Sequence, residues 1–258
     1  MVRLTINPVV SQNFGIVASG TSFNLNAVAF SSALIGVAVG EGGTILRSVD
    51  GGQSWAPVIS GTVARLRTVA FGGGGRGVVA GANGLLFTAD SGATWTPTLA
   101  GDSGVCCTSV AYADALTVVA SYRNGFLRST DGGQSFGVGF SATVFNPLVR
   151  FGSATHGAVA DGRILDTTDG GANWPVATQP PAVGATTLAF ASSSIAVAGG
   201  LGSLLRTTNG ARPGPCSTAI VCRGLSIRWR STPPVSACRW AKGRRSAPCA
   251  RPTSARPG

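Results

Sequence analysis

The stretch Ser48-Val49-Asp50-Gly51-Gly52-Gln53-Ser54-Trp55 decides the fold, because the chain repeats it about every forty residues. The later copies begin at Thr88, Ser129, Thr167 and, incompletely, Thr207. The acidic position of the block steps through 50, 90, 131 and 169, and Asn209 stands in its place in the fifth copy. Repeats of this length predict stacked supersecondary units, none of which can bury its apolar face alone.

Each repeat also carries short apolar runs before the block. In the first repeat these runs are Val28–Phe30, Gly36–Val39 and Ile45–Arg47, and a fourth run follows Trp55. Short runs rich in Val, Phe and Leu, separated by Gly, Asn or Asp, predict strands joined by tight turns. No segment keeps a 3.6-residue apolar period, so we expect almost no helix. Four strands in every repeat predict an all-β fold, a β-propeller of four-stranded blades.

The number of blades depends on the N-terminus. Residues 13–21 align with residues 54–62, so the chain is predicted to begin on the fourth strand of a blade. The fifth repeat has three good strands and no recognisable fourth. The N-terminal strand could complete that blade, since pairing hides two sheet edges at once, and it could equally be the remnant of a larger ring.

The block itself has a mechanical interpretation. We expect its carboxylate to accept hydrogen bonds from nearby backbone N–H groups and from the Ser or Thr two residues earlier. The glycines allow backbone angles that a side chain resists, and the final aromatic is expected to wedge between neighbouring blades. The predicted structural residues are Asp50, Trp55, Asp90, Trp95, Asp131, Phe136, Asp169, Trp174 and Asn209.

The composition changes abruptly after residue 210. Residues 211–258 hold ten of the chain's 20 Lys and Arg residues, four of its six cysteines and none of its nine acidic residues. The net charge of +11 therefore comes mainly from this tail. We divide the chain into a propeller, residues 1–210, and a basic tail, residues 211–258, which has few periodic apolar positions and is expected to be disordered.

The tail has three interpretations: a basic arm, a cysteine cluster and a reading-frame error. A basic arm would bind nucleic acid or an anionic membrane, and the cysteine spacings match no zinc pattern. We favour a reading-frame error near residue 211. Asn209–Gly214 is compatible with the loss of one G after the codon for Gly210, and restoring it reads Asn-Gly-Gly-Ala-Thr-Trp, the missing end of the fifth block. The intact protein would then continue into a further blade. Because the basic tail would not be genuine, we predict no nucleic-acid partner.

The repeats resemble known families. The pattern Ser/Thr-x-Asp-x-Gly-x-x-Trp/Phe is the Asp-box of BNR-type propellers, including bacterial sialidases. The fuller unit, with Gly-x-x-Gly-x-(Ile/Leu)-Leu-Arg-(Ser/Thr) at Gly40–Ser48 and Gly199–Thr207, resembles the photosystem II stability and assembly factor family over about residues 13–210. The resemblance implies a seven-bladed, non-enzymatic protein that binds partner polypeptides outside the cytoplasm. This chain has fewer repeats and shows no export signal, which leaves its location open.

Two groups of arginines are candidate partner contacts. Arg47, Arg128 and Arg206 end the third strand in three repeats, which would place them at one height of the ring. Each of them either covers neighbouring apolar surface or pairs with a nearby acid, or else the three form a belt for an acidic or membrane-protein segment. Arg65, Arg67 and Arg123 lie in turns facing away from the blocks and are further candidates.

The search for chemistry favours no enzyme. A sialidase-like glycosidase needs an arginine cluster, a Tyr–Glu pair and an acid, and this chain has one glutamate, Glu41, and two tyrosines, Tyr112 and Tyr122. We predict no catalytic, cofactor or metal site and no membrane span. The alternatives are a sialidase-like hydrolase or carbohydrate-binding propeller, and a truncated fragment without function. Convergence of Glu41, a tyrosine and three arginines in one pocket would favour the enzyme.

Overall fold

The structure is a computed structural model that describes residues 15–100, 107–122, 124–141, 147–175 and 184–208. The chain divides into two compact units, Met1–Gly224 and Leu225–Gly258, and every described residue lies in the first. The predictions for Asn209 and for the tail at 211–258 lie outside the described residues.

The described residues form five antiparallel sheets, which we call blades 1 to 5. Blade 1 contains β1 (Leu25–Phe30), β2 (Gly36–Gly40), β3 (Ile45–Ser48) and β4 (Ala56–Val58). Blade 2 contains β5 (Leu66–Phe71), β6 (Gly77–Gly81), β7 (Gly84–Thr88) and β8 (Thr96–Ala100). Blade 3 contains β9 (Ser109–Tyr112), β10 (Val118–Tyr122), β11 (Gly125–Ser129) and β12 (Gly137–Ser141). Blade 4 contains β13 (Leu148–Phe151), β14 (Gly157–Asp161) and β15 (Arg163–Thr167), and blade 5 contains β16 (Thr187–Phe190), β17 (Ala196–Gly200) and β18 (Ser203–Thr207).

The observed strands confirm the all-β prediction. Each blade is a meander in which consecutive strands pair, and within the described residues the helical structure is one 3-10 turn, Glu41–Gly43. The first three blades have the predicted four strands. In blades 4 and 5 the segments expected to form the fourth strand fall largely at 176–183 and after 208, outside the described residues.

A glycine at the start of the second strand sets the register with the first. In blade 2, Gly77 pairs with Phe71, and a Cβ on Gly77 would lie 2.5 Å from the phenylalanine ring. The phenylalanine ring therefore lies over Gly77, whose lack of a side chain leaves room for the ring. In blade 3 the glycine is replaced by Val118, and the paired Tyr112 instead sends its hydroxyl 2.8 Å to the carbonyl of Gly132.

Each pair of neighbouring blades shares one apolar core, because alternate residues of a strand point to opposite faces. Val37 and Ile45 of blade 1 pack with Val69, Val79 and Trp95 of blade 2. The later cores are Val78, Ala80, Leu85 and Phe87 with Val110, Ala120 and Leu127; Ala111, Val119 and Phe126 with Val149, Val159, Leu165 and Trp174; and Ala158 and Ala160 with Leu188, Ala198 and Leu205.

The two end faces of this series lack such a neighbour among the described residues. Val28 of blade 1 is 58% exposed, whereas Val69, its equivalent in blade 2, is 7% exposed. At the other end, Leu204 of blade 5 is 48% exposed, whereas the equivalent Ile45 of blade 1 is 1% exposed. We call these surfaces the front face of blade 1 and the back face of blade 5.

The prediction of a strand over residues 13–21 is wrong for the part that the structure describes. Residues 15–21 form no strand, and Ile16 is fully exposed, since no described third strand lies beside them to pair with. The underlying alignment nevertheless holds locally. The hydroxyl of Ser19 bonds both the N–H and the carbonyl of Thr21, and the hydroxyl of Ser60 does the same with Thr62.

Candidate functional site

The repeated block forms the same hydrogen-bonded turn in four blades, between the third strand and the segment that follows it. In blade 1 the Ser48 hydroxyl donates to Oδ1 of Asp50 at 2.7 Å, and the backbone N–H of Ser54 donates to the same oxygen at 3.0 Å. The Ser54 hydroxyl donates to Oδ2. Asp90, Asp131 and Asp169 accept equivalent bonds, with Asn173 replacing the second hydroxyl in blade 4.

The second glycine position of the turn is required by backbone and by space. Gly52, Gly92, Gly133 and Gly171 all have φ between 82° and 102°. In this left-handed region a Cβ is disfavoured. A Cβ on Gly92 would also approach the Val37 side chain of the preceding blade to 2.5 Å. The turn thus packs directly on its neighbour, as a structural element does.

The hydrogen bonds hold the turn carboxylates in their ionised form. At Asp50 the bonds from Ser54, and then from Ser48, lower the pKa well below its usual range. At Asp90 burial raises the pKa, but the bonds from Thr94 and Thr88 outweigh it and lower the pKa to about 2. The same balance lowers the pKa of Asp131 to about 2. Because these carboxylates only accept bonds from their own turns, they are poorly suited to proton transfer.

The aromatic residue of the block lies in the seam between blades where both blades are present. Trp174 is 1% exposed, and its ring lies 5.1 Å from the ring of Phe126 in blade 3. Trp95 is 8% exposed in the core shared with blade 1, and Phe136 packs on the core of blades 2 and 3. No described blade precedes blade 1, and Trp55 is only partly buried.

The structure places two of the three belt arginines against the next blade. Nε of Arg47 donates to the carbonyl of Ser91 at 2.9 Å, and Nε of Arg128 donates to the carbonyl of Gly170 at 2.9 Å. Both carbonyls belong to the turn of the following block, at the position after the aspartate. Sequence reasoning named these arginines but missed the acceptor, which is a carbonyl and not an acid. The spacing of 44 and 42 residues, about one repeat, was the available signal.

Arg206 differs from its two equivalents. Its side chain is exposed, while those of Arg47 and Arg128 are half-buried. Among the described residues it makes no hydrogen bond and no ion pair, because no described blade follows blade 5 to supply the acceptor. The belt is therefore two interblade contacts and one exposed guanidinium.

The second arginine group lies at the opposite end of the strands. Arg65 is 3.7 Å from Oε1 of Glu41 and donates to Oδ1 of Asn26 at 3.3 Å, so it links blade 2 to blade 1. Arg67 is exposed on β5. Arg123 lies outside the described residues.

Asp166 is a residue that sequence reasoning missed. It occupies the position of Arg47 in blade 4, is 2% exposed, and its Oδ2 has no hydrogen-bond partner among the described residues. Burial raises its pKa to about 6. Aligning the repeats could have identified this residue, since an acid stands at the position where three other repeats carry arginine.

Glu41 and Tyr112, two residues of the enzyme hypothesis, do not meet. Glu41 lies in the hairpin between β2 and β3, whereas Tyr112 ends β9 at the opposite end of the strands, two blades away. Burial raises the pKa of the Tyr112 hydroxyl, which donates to a backbone carbonyl. Within the described ranges no three His, Cys, Asp or Glu side chains are grouped to bind a metal. In the same part of the chain no helix is long and apolar enough to span a membrane.

Comparison with known proteins identifies the fold. No protein-family model and no curated protein matches the sequence. Among solved structures, YCF48 from Cyanidioschyzon merolae aligns with a TM-score of 0.63 at 16% identity, over 80% of this chain and 74% of that one. The fold is a β-propeller.

Other solved structures align about equally well. The GH74 xyloglucanase from Xanthomonas campestris gives a TM-score of 0.60 at 15% identity, over 73% of this chain and 37% of the enzyme. U3-55K gives 0.61 at 10% identity, over 74% of this chain and 63% of that one. These identities establish the shared architecture alone, since one fold carries many functions.

Proposed function

We propose that this chain is a non-enzymatic propeller that binds a partner protein and acts as an assembly module. The observation that carries the proposal is the front face of blade 1, which no other described residues cover. Its exposed large apolar side chains are Leu25, Val28 and Phe30, and Ile16, Val17 and Phe23 lie exposed in the segment before it. Contiguous apolar surface that the fold leaves open is typical of protein interaction sites.

The front face is shaped to receive a side chain. A groove of about 390 Å³ runs across it, lined by Val17, Leu25, Val28, Leu46 and Trp55. The indole of Trp55 donates to the carbonyl of Gly52, which fixes the ring at the edge of the groove. An aromatic residue held in place at an open apolar surface is a common anchor for partner binding.

Two arginines of blade 2, of which Arg65 contacts a residue of the groove, favour an acidic partner segment. Arg65 lies beside Asn26, which also lines the groove, and Arg67 follows two residues later on β5. Their charge would steer a negatively charged segment toward the apolar groove. The resemblance of the repeat to photosystem II assembly factors, and the fold shared with YCF48, support an assembly role.

A second candidate, a glycoside hydrolase, is favoured by the fold shared with the GH74 xyloglucanase. Glycosidases position two carboxyl groups on either side of the scissile bond. In this chain the four turn aspartates are bonded within their turns, and Glu41 lies against Arg65. We therefore rank hydrolysis below protein binding.

Affinity capture from the native host tests the proposal. The wild-type chain is expected to enrich a defined partner that Val28→Glu loses, because the charge is placed in the open apolar face. Val63→Glu changes an even more exposed valine, 89% against 58% for Val28, away from this face and is expected to retain the partner. The partner is then purified, and its affinity for all three chains is measured by calorimetry.

The enzyme alternative has its own assay. Release of reducing ends from xyloglucan that is abolished by Glu41→Gln, together with identical capture by all three chains, would overturn the binding proposal.

A further inference from the structure

The two end faces of the propeller are the two halves of one interface that the chain already forms four times. Inside the chain, the back face of each blade packs on the front face of the next. The back face of blade 5 and the front face of blade 1 have the same residue pattern but no partner within the described ranges. Surfaces of these two kinds are the ones that meet at each internal interface.

The back face of blade 5 matches the back face of blade 1 at two apolar positions, although Gly199 stands where blade 1 has the buried Val39. Val197 and Leu204 correspond in register to Val37 and Ile45. The second pair is fully buried in the core with blade 2, whereas Val197 and Leu204 are exposed. Blade 5 thus presents, uncovered by the other described residues, two of the apolar positions with which blade 1 holds its neighbour.

The front face of blade 1 likewise matches the front face of blade 2. Val28 and Trp55 correspond to Val69 and Trp95, and the latter two are buried against blade 1. The groove over Val28 and Trp55 is the space that a preceding blade would fill.

A polar contact between neighbouring blades indicates how the two end faces would align. In two internal interfaces the third-strand arginine donates through Nε to the carbonyl that follows the turn aspartate of the next blade. Arg206 is the equivalent donor on the back face of blade 5, and Gly51 carries the equivalent carbonyl beside the front face of blade 1. Each half of the missing bond lies on a different end of the chain.

We propose that blade 5 of one molecule docks on blade 1 of a second copy, with Arg206 donating to the Gly51 carbonyl. This inference rests on the proposed function and names a second copy of this chain as a partner of the front face. The contact is heterologous, since different surfaces meet, so it extends head to tail until a ring closes or growth stops. The arginine hydrogen bond adds orientation to an otherwise apolar contact.

A mixing experiment tests the two-surface geometry. Val28→Glu blocks the front face and leaves the back face intact, and Val197→Glu does the reverse. By light scattering after gel filtration, each variant alone is expected to be monomeric, and the 1:1 mixture is expected to form a heterodimer and nothing larger. The wild-type mass is expected to rise with concentration, and Val63→Glu, which changes neither face, should behave as wild type.

The arginine contact is tested on the same heterodimer. Arg206→Ala in the Val28→Glu chain is expected to weaken the heterodimer by roughly 10- to 100-fold, the range for a hydrogen bond to a charged group. Arg206→Lys removes the Nε donor and should recover only part of the affinity.

A mixture that remains monomeric at high concentration overturns the inference. That result would mean that the chain covers its own end faces or that only other proteins bind there. The proposed function is tested separately by the capture experiment, in which Val28→Glu is expected to lose the host partner. Circular dichroism melts of each variant confirm that both substitutions, at exposed positions, leave the fold intact.

Discussion

Replacing the buried carboxylate of Asp166 is expected to make the protein more stable at neutral pH and to change its pH dependence. Asp166 is almost fully buried between blades 4 and 5. Burial raises its pKa from 3.8 to about 6. Between these two values the folded chain holds a proton that the unfolded chain has lost, so stability falls as the pH rises. Well below pH 3.8 the carboxyl group is neutral in both states, and by about one unit above pH 6 the loss is nearly complete.

The magnitude follows from the size of the shift. One pKa unit corresponds to about 1.4 kcal/mol, so an ionised Asp166 lowers the free energy of unfolding by at most about 3 kcal/mol above pH 7. Asp166→Asn keeps the shape and removes the charge. The gain in the free energy of unfolding of Asp166→Asn over wild type should be about 2–3 kcal/mol larger at pH 8 than at pH 4. Taking this difference between two pH values cancels any pH-independent cost of burying the amide.

Urea unfolding, followed by the fluorescence of the buried Trp174 in the same blade, measures this change at a series of pH values. The turn carboxylates Asp90 and Asp131, with pKa values of about 2, stay ionised in the folded state across this range. Asp114→Asn is the matched control, because hydrogen bonds outweigh burial and lower the pKa of Asp114. If Asp166→Asn and wild type show parallel pH profiles, the carboxylate is solvated or paired, and the reasoning is wrong.

Three further perturbations test the scaffold. Asp131→Ala should lower the free energy of unfolding by about 1–2 kcal/mol at neutral pH, since it removes the acceptor of three hydrogen bonds in the turn. Asp131→Asn should lower it less, and thermal melts compare the two variants. Trp174→Ala should lower the free energy of unfolding by about 3–5 kcal/mol, whereas Trp55→Ala should lower it by under half of that because the Trp55 ring is only partly buried. Equal losses in urea titrations would contradict the conclusion that Trp174 lies between two blades. Arg128→Ala should lower the melting temperature, and Arg206→Ala should leave it unchanged at high dilution, since only the former holds an interblade bond.

The repeat made the strand content predictable, because each unit encodes its own hairpins. Four copies of one turn motif specify the same local hydrogen bonds wherever they occur, so the roles of Ser48 and Asp50 could be worked out without coordinates. The N-terminal strand was the exception. Its sequence matches a fourth strand, but a strand needs a neighbour to pair with, and residues 15–21 have no described strand beside them.

The candidate site was less predictable than the fold. The arginines at 47, 128 and 206 have the same local sequence but different surroundings. Two of them bond a carbonyl about one repeat away, and the third is exposed. Asp166 likewise gains its raised pKa from burial between two blades, which no single repeat encodes.

The sequence by itself determined the repeat length, the strand order and the chemistry of the turns, because these depend on contacts within about forty residues. Only the tertiary structure decided which faces are covered, which arginine is exposed and which carboxylate is buried. Those properties depend on whether a neighbouring blade is present, so residues at equivalent positions of similar units, such as Val28 and Val69, differ in burial.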